Sequence, residues 1–415
     1  MLIDVLAAAA AAAPPFDPEA ATRAYLDTLQ GAARARSDAY FEGGYWLLLW
    51  NALVGLVSAW VLLRFGWSAA WARWTERVTK RRWLQAALYA IPWTIVSSLI
   101  VLPWTIYVGW YREKQYDLMN QSLGAWLGEQ AIALGVSVVS FTILLAIVFA
   151  VIRRSPRLWW LWGTGAVTIL LAIAIVVAPV FISPLFNDYK PMAAGPLRDQ
   201  IIGMARANDV PADNVYVFDQ SKQHKRISAN VSGLGPTIRI SLNDNLLNRA
   251  SPAEVKAVMG HELGHYVLGH ITRLLLILAL IVAVGMFLLW WLTPRILARS
   301  GARWGVKGSD DPAVVPLFTM ILTVYFLIMT PVLNTLIRTN ESEADAFGLD
   351  AAREPDGFAS TAMKLSEYRK IEPGALEEAL FFDHPSGRTR VRMAMDWKAK
   401  HLAEVAAKAA PAPKR

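Results

Sequence analysis

Six apolar stretches, near residues 44 to 64, 84 to 109, 131 to 152, 158 to 183, 271 to 293 and 313 to 337, constrain this chain's fold more than any other feature. Each is long enough to cross a bilayer as a helix, which takes about 20 residues. No charged residue occurs between Leu158 and Ile182 or between Ala313 and Ile337. A large soluble enzyme with buried helices is the competing reading, and it would have to hide every side of those stretches from water. The 55% hydrophobic content and the 18 tryptophans, a residue favoured at membrane interfaces, point to a bilayer instead. The sequence therefore predicts a polytopic helical membrane protein. Pro92, Pro103, Pro316 and Pro331 fall inside predicted spans and mark places for kinks, tolerated where neighbouring helices or water satisfy the freed carbonyls.

The formal net charge of +8 does not indicate nucleic acid, because the basic residues gather beside the spans. Arg73, Arg77, Lys80, Arg81 and Arg82 follow the first span. Arg153, Arg154 and Arg157 separate the third and fourth, and Arg295, Arg299, Arg303 and Lys307 separate the last two. With six spans the three clusters share one side, which the positive-inside rule assigns to the cytoplasm. The same parity puts residues 184 to 269 and the C-terminal tail on the other side. Residues 2 to 13 are apolar, with Asp4 and no basic side chain; a weak signal segment, a short membrane helix and a disordered terminus all fit them. The absence of cysteine rules out disulfides and thiolate metal ligands.

The spans divide the chain into an N-terminal segment (1–43), a four-helix membrane region (44–183), a first water-exposed part (184–270), two further spans (271–337), a second water-exposed part (338–402) and a flexible tail (403–415). Charged residues among alanines make 16–43 a soluble helical segment ahead of the first span. Pro196 to Asn208 reads as a helix. Asn214 to Phe218 and Thr237 to Leu242 read as strands, the latter with Ile238 and Ile240 on one side and Arg239 and Ser241 on the other. Together they predict a small sheet. Ser228 to Ser232 is the candidate strand for holding an extended peptide by main-chain hydrogen bonds, with an ordinary edge strand or loop before Gly233 and Gly235 as the alternative.

The run His261-Glu262-Leu263-Gly264-His265 carries the chemistry. Ahead of it, Ser251-Pro252-Ala253-Glu254 reads as an N-cap, a proline at the first helical position and a capping-box glutamate, so a helix through Leu268 is predicted. On that helix His261 and His265 share a face and can grip one zinc ion, while Glu262 is placed to deprotonate an activated water. Helix-surface histidines beside a glutamate are the competing reading. A zinc site needs a third protein ligand, and Glu341, Glu343 and Asp345 directly follow the last span. Glu341 and Asp345 are four apart and share a face, but the bare sequence does not choose among the three acids.

These residues resemble the M48 family of zinc metallopeptidases and, within it, the membrane-embedded Ste24-like group, the CAAX prenyl proteases. The likeness covers the aromatic-rich N-terminal region, Pro184-Leu185-Phe186-Asn187, the zinc helix, the glutamate segment and a His-Pro run near the C-terminus. It implies His261 and His265 as ligands, Glu262 as general base and Glu341 as third ligand, within an Arg-x-x-Glu-x-x-Ala-Asp pattern filled by Arg338, Ala344 and Asp345. Asp345 would orient a ligating histidine. Asp383-His384-Pro385 resembles the family's Ser-His-Pro, and with Arg390 it implies a role in steadying substrate or oxyanion; a buried structural histidine is the alternative for His384. Two departures stand out. Ile227-Ser228-Ala229-Asn230 replaces a Ser-Asn-Ala-Tyr type run, and the family's usual first membrane helix is represented only by the segment ending at Ala13.

The resemblance implies a mostly α fold, a membrane chamber built of helices, with a small α+β zincin-like catalytic domain and a zinc site opening to the cytosol. The charge clusters argue for the opposite face. The expected activity is endopeptidase hydrolysis with one Zn2+ per chain. Its substrate strand would comprise Ser228, Ala229, Asn230 and Val231. Expected partners are the lipid bilayer and a peptide or protein substrate, with lipidated tails as one option, and no nucleic acid. The alanine-rich, cysteine-free sequence suggests a bacterial inner membrane, where a quality-control protease without prenyl specificity competes with a CAAX protease. A transporter or scaffold that retains a zinc site is the non-catalytic alternative.

Overall fold

The computed structural model describes residues 15–233 and 238–409. The expectations for the first 13 residues and for the end of the tail lie outside them. Helix α1 (Pro18–Leu26) precedes α2 (Gly31–Arg64), and α3 (Trp67–Val78) leads into α4 (Arg82–Ile106). A π-turn over Tyr107–Tyr111 carries α4 on into α5 (Arg112–Gln115); α6 (Leu123–Arg154) and α7 (Trp159–Val177) follow. The water-exposed unit then begins with β1 (Tyr189–Pro191), α8 (Pro196–Ala207), β2 (Val215–Phe218), β3 (Ala229–Ser232) and β4 (Arg239–Asn243). It continues through α9 (Asp244–Arg249) and α10 (Pro252–Val267). After α11 (His270–Trp304) and α12 (Val315–Ala352) come α13 (Pro355–Leu365), α14 (Ala375–Phe381), α15 (Gly387–Lys400) and α16 (Leu402–Ala409).

Among the described residues, six helices are long and apolar enough to cross a membrane: Gly31–Arg64, Arg82–Gln115, Leu123–Arg154, Trp159–Leu185, His270–Trp304 and Pro312–Ala352. They match the six stretches read from sequence. Their apolar side chains turn outward: Ile169, Leu276, Leu280 and Ile328 are each more than 60% exposed. A soluble protein would bury such residues, whereas lipid solvates them.

Several helices run past the limits expected from hydropathy, α2 and α12 furthest. Residues 31–43, read as part of a separate polar segment, are the first turns of α2, and Glu341 lies on the same unbroken helix as the last span. The charges at these ends project beyond the apolar band and bind the water-exposed unit, as in Arg34–Glu372 (2.8 Å) and Lys370–Glu42 (2.7 Å). The described part of the expected flexible tail is the helix α16.

The four-stranded sheet has the order β1-β2-β4-β3, with β2 and β4 parallel and the other two pairs antiparallel. Its buried face carries Ile238, Ile240 and Leu242 onto Val255, Met259 and Leu263 of α10 and Ile201 of α8. Met259 and Leu263 are wholly buried, and each such side chain contributes roughly 1.5–3 kcal/mol by leaving water. The opposite side of α10 is thereby turned to the membrane helices. β3 lies at the sheet's edge, so one of its main-chain sides has no strand partner among the described residues.

Candidate metal centre

The N-terminus of α10 is built as expected. Ser251 accepts from the Glu254 amide and Glu254 accepts from the Ser251 amide, while Ser360 and Lys364 of α13 hold the same carboxylate at 2.6 and 2.8 Å. From this anchored start the helix runs against α12 with almost no side chain between the backbones. A Cβ on Gly260 would lie 2.8 Å from the Gly348 carbonyl oxygen, and one on Gly348 only 2.7 Å from the His261 nitrogen. The small residues let Glu341 reach the histidines.

His261 Nε2 and His265 Nε2 lie 3.1 Å apart, and Glu341 places its oxygens 3.2 Å from the first and 3.4 Å from the second. Among the described residues, these three form the group whose ligand atoms cluster tightly enough to hold a metal ion. A tetrahedral zinc ion with bonds of about 2.0–2.1 Å needs ligand atoms about 3.3–3.4 Å apart, so the triangle fits. Glu341 Oε2 is buried without a hydrogen-bond partner, an arrangement that costs free energy unless a cation takes up the lone pair. Neutral imidazoles and one carboxylate, with no thiolate, suit zinc.

Each histidine is held from behind. His261 Nδ1 meets Asp345 Oδ1 at 2.7 Å, and Arg390 donates to the same oxygen at 2.5 Å. For His265 to offer Nε2 to a cation, its Nδ1 must keep the proton and donate to His270 Nδ1, 2.9 Å away. His270 then donates from Nε2 to Glu343 (3.1 Å), which also accepts from Arg273 (2.7 Å). Sequence reasoning missed His270, Glu343 and Arg273 in this role. Their one signal was ionisable residues within the ends of membrane helices.

Glu262 is half-buried, makes no hydrogen bond among the described residues and borders the cavity beside the histidines. Burial pushes its carboxyl up to about 7, with Glu341 adding to the rise and His261 opposing it. Burial pushes His261 down, but the hydrogen bond it makes to Asp345 and the nearby Glu341 carboxylate outweigh this and hold the imidazole up at about 10. Burial and the neighbouring His261 lower His265 to about 4.

The remaining candidates gather around the same opening. His384 Nε2 lies 3.3 Å from Glu341 Oε2, and its Nδ1 meets Asp383 at 2.8 Å. Arg390 borders the cavity but spends one end of its guanidinium on Asp345, leaving Nε without a partner. Ser228 and Ala229 line a cavity of about 170 Å3 together with His261, Glu262 and His384; Asn230 and Val231 belong to β3 but not to its wall. Arg338 donates to the carbonyls of Glu378 and Phe382 and so braces the loop that carries His384. A second cavity, of about 720 Å3, shares Ser228, Tyr368 and Arg369 with the first. Its wall mixes Leu47, Leu48, Val108 and Phe381 with Arg112, Glu113 and Arg226.

The pattern that describes the CAAX prenyl protease N-terminal region, "five membrane helices", matches residues 21–188, and that of peptidase family M48 matches residues 191–398. A Bacillus subtilis protein named "Uncharacterized metalloprotease YhfN" is 27% identical over 80% of this chain and 79% of its own length. The human "CAAX prenyl protease 1 homolog" is 25% identical over 68% of this chain and 67% of its own. The crystal structure of S. mikatae Ste24p superposes with a TM-score of 0.72, covering 91% of this chain and 94% of that one at 20% identity, which is a likeness of fold.

Proposed function

Because the chain belongs to peptidase family M48 and is a membrane-embedded metalloprotease, we propose that it is a zinc-dependent endopeptidase acting on extended peptide segments at the membrane surface. The observation that carries this reading is the His261–His265–Glu341 triangle, with Glu262 free beside it at the mouth of a cavity bordered by an edge strand. Residues 184–270 and 338–402 form, in this reading, one catalytic unit interrupted by the two spans of 271–337.

When bound, zinc supplies the Lewis acidity that polarises a peptide carbonyl and acidifies a water. Glu262 accepts the proton of the attacking water and passes it to the leaving amine. Asp345 and His270 keep the two imidazoles in the tautomer that presents Nε2. The edge of β3 offers main-chain donors and acceptors to an extended substrate, with Ser228 and Ala229 in the wall of the cavity that His261 and Glu262 border. In this reading His384 and Arg390 steady the substrate or the developing oxyanion.

The mixed wall of the larger cavity suits a peptide with both polar and apolar side chains, and this favours general membrane-associated proteolysis. Cleavage near the C-terminus of prenylated CAAX-type proteins is the second reading, favoured by the name of the human relative. Hydrolysis of one peptide in prenylated and unmodified form decides between them. General proteolysis predicts similar rates; a large excess for the prenylated form would establish the second reading. Metal binding without hydrolysis of either would leave a transporter or scaffold.

A further inference from the structure

The three basic clusters converge on the face opposite the metal centre, as the span parity requires. There Lys307 pairs with Glu76 at 2.6 Å, and Arg153 of α6 reaches the loop between α11 and α12. Between these helix ends lies a cavity of about 490 Å3 lined by Arg82, Arg153, Trp159, Trp290, Pro294 and Asp310, among others. It is remote from the catalytic unit, and nothing in peptide hydrolysis requires it. The positive-inside rule explains basic residues spread over this face; it does not explain why Arg153, held by backbone carbonyls, and the largely exposed Arg82 border one cavity.

We propose that this cavity is a headgroup site for an anionic phospholipid. Arg153 donates from Nε and Nη2 to the Asp310 carbonyl, at 3.3 and 3.0 Å, and from Nη1 to the Arg82 carbonyl. Backbone carbonyls fix the guanidinium without neutralising it. Arg82 approaches the Asp310 carboxylate only to 3.6 Å, and that carboxylate is the one acidic group of the wall, so the lining keeps a net positive charge. Arg154 and Arg157, exposed beside the opening, make no ion pair among the described residues. A monoanionic phosphodiester would complete this charge balance.

The depth is right for a headgroup. Trp159 and Trp290 form part of the wall, and Trp83, Trp162 and Trp291 are 53%, 63% and 41% exposed on neighbouring positions of the same helix ends. Tryptophan concentrates at the headgroup level of a bilayer, where its ring spans the change from apolar to wet surroundings. Arginine-lined pockets between helix ends at that level are suited to anionic headgroups. Ile152 and Pro294 supply apolar wall for the glycerol and the first acyl carbons.

Native mass spectrometry of the full chain, released from detergent with equal amounts of phosphatidylglycerol and phosphatidylethanolamine, tests the site. One phosphatidylglycerol should outlast all other lipid. Arg82→Gln, which removes charge without touching the carbonyl contacts of Arg153, should weaken its retention by about fivefold. Asp310→Asn should strengthen it by a similar factor, a change of sign that a merely damaged protein does not give. Arg299→Gln/Arg303→Gln, on the same face but outside the cavity wall, should leave it unchanged. Equal retention of the two lipids, an equal loss in the Arg299/Arg303 variant, or displacement of phosphatidylglycerol by free inorganic phosphate would overturn the proposal.

Discussion

Replacing Gly348 by alanine tests whether the metal centre depends on two helix backbones in direct contact. The added Cβ would sit 2.7 Å from the His261 nitrogen and 3.0 Å from its Cα, where ordinary contacts begin at 3.4 Å. Neither neighbour is the end of a flexible side chain, so α12 and α10 must separate by about 0.7 Å. Overpacking of this kind costs roughly 1–3 kcal/mol of stability. The larger effect falls on the triangle. Glu341 lies two turns before Gly348 on the same helix, and the displacement opens both of its edges with His261 and His265. A misplacement near 1 Å lowers rates on the order of a hundredfold in a pre-organised site. Chelator competition should show weakened zinc binding, and hydrolysis should fall further than thermal stability does. A Gly348→Ala protein with wild-type zinc affinity and activity would refute the close-packing argument; Gly203→Ala, which meets nothing within 4 Å, is the matched control.

Further outcomes follow from the groups around the triangle. Because Asp345 holds His261 protonated up to about 10 in the metal-free site, zinc binding at neutral pH must expel a proton, and apparent affinity should rise about tenfold per pH unit. Asp345→Asn should flatten that slope, as read by chelator competition between pH 6 and 8; an unchanged slope would count against the pairing. The raised pKa also stabilises the metal-free fold at pH values below the ordinary histidine range, and that contribution is lost as pH rises through 10. His270→Ala should lower zinc affinity by about 10- to 100-fold with an unaltered circular dichroism spectrum, whereas His270→Gln, able to accept and donate, should recover part of it. Equal affinities in all three proteins would remove His270 from the support of His265. The chain has no cysteine, so single introduced cysteines report topology cleanly. With the basic loops inside, a cysteine at Arg388 should react with an impermeant reagent in intact cells and one at Arg157 should not. The reverse pattern would favour a cytosolic site.

What the sequence disclosed and what it hid divide along physical lines. His261, Glu262 and His265 were legible because one helix, started by Ser251-Pro252 and Glu254, places them by local geometry. The six spans were legible because lipid imposes a length and an uncharged composition. Hydropathy hid the extent of α2 and α12, since charged turns beyond the bilayer carry no apolar signal even when the helix is unbroken. The bare sequence also left Glu341, Glu343 and Asp345 unresolved, because their separation depends on how α12 packs on α10. In the fold Glu341 faces the histidines, Asp345 stands behind His261, and Glu343 turns to α11. His270 was hidden by its spacing of five from His265. Gly269, at φ +65°, interrupts the helix between α10 and α11, and His270 at the start of α11 meets that ring, a contact no helical periodicity predicts.

Peptide hydrolysis by the zinc-loaded protein and its Glu262→Gln variant, with bound zinc measured in the same preparations, decides whether Glu262 is the general base of a zinc peptidase. The expected result is one zinc per chain in both, cleavage by the wild type that a chelator abolishes and zinc restores, and no cleavage by the variant. Turnover that survives Glu262→Gln at full zinc occupancy would contradict it.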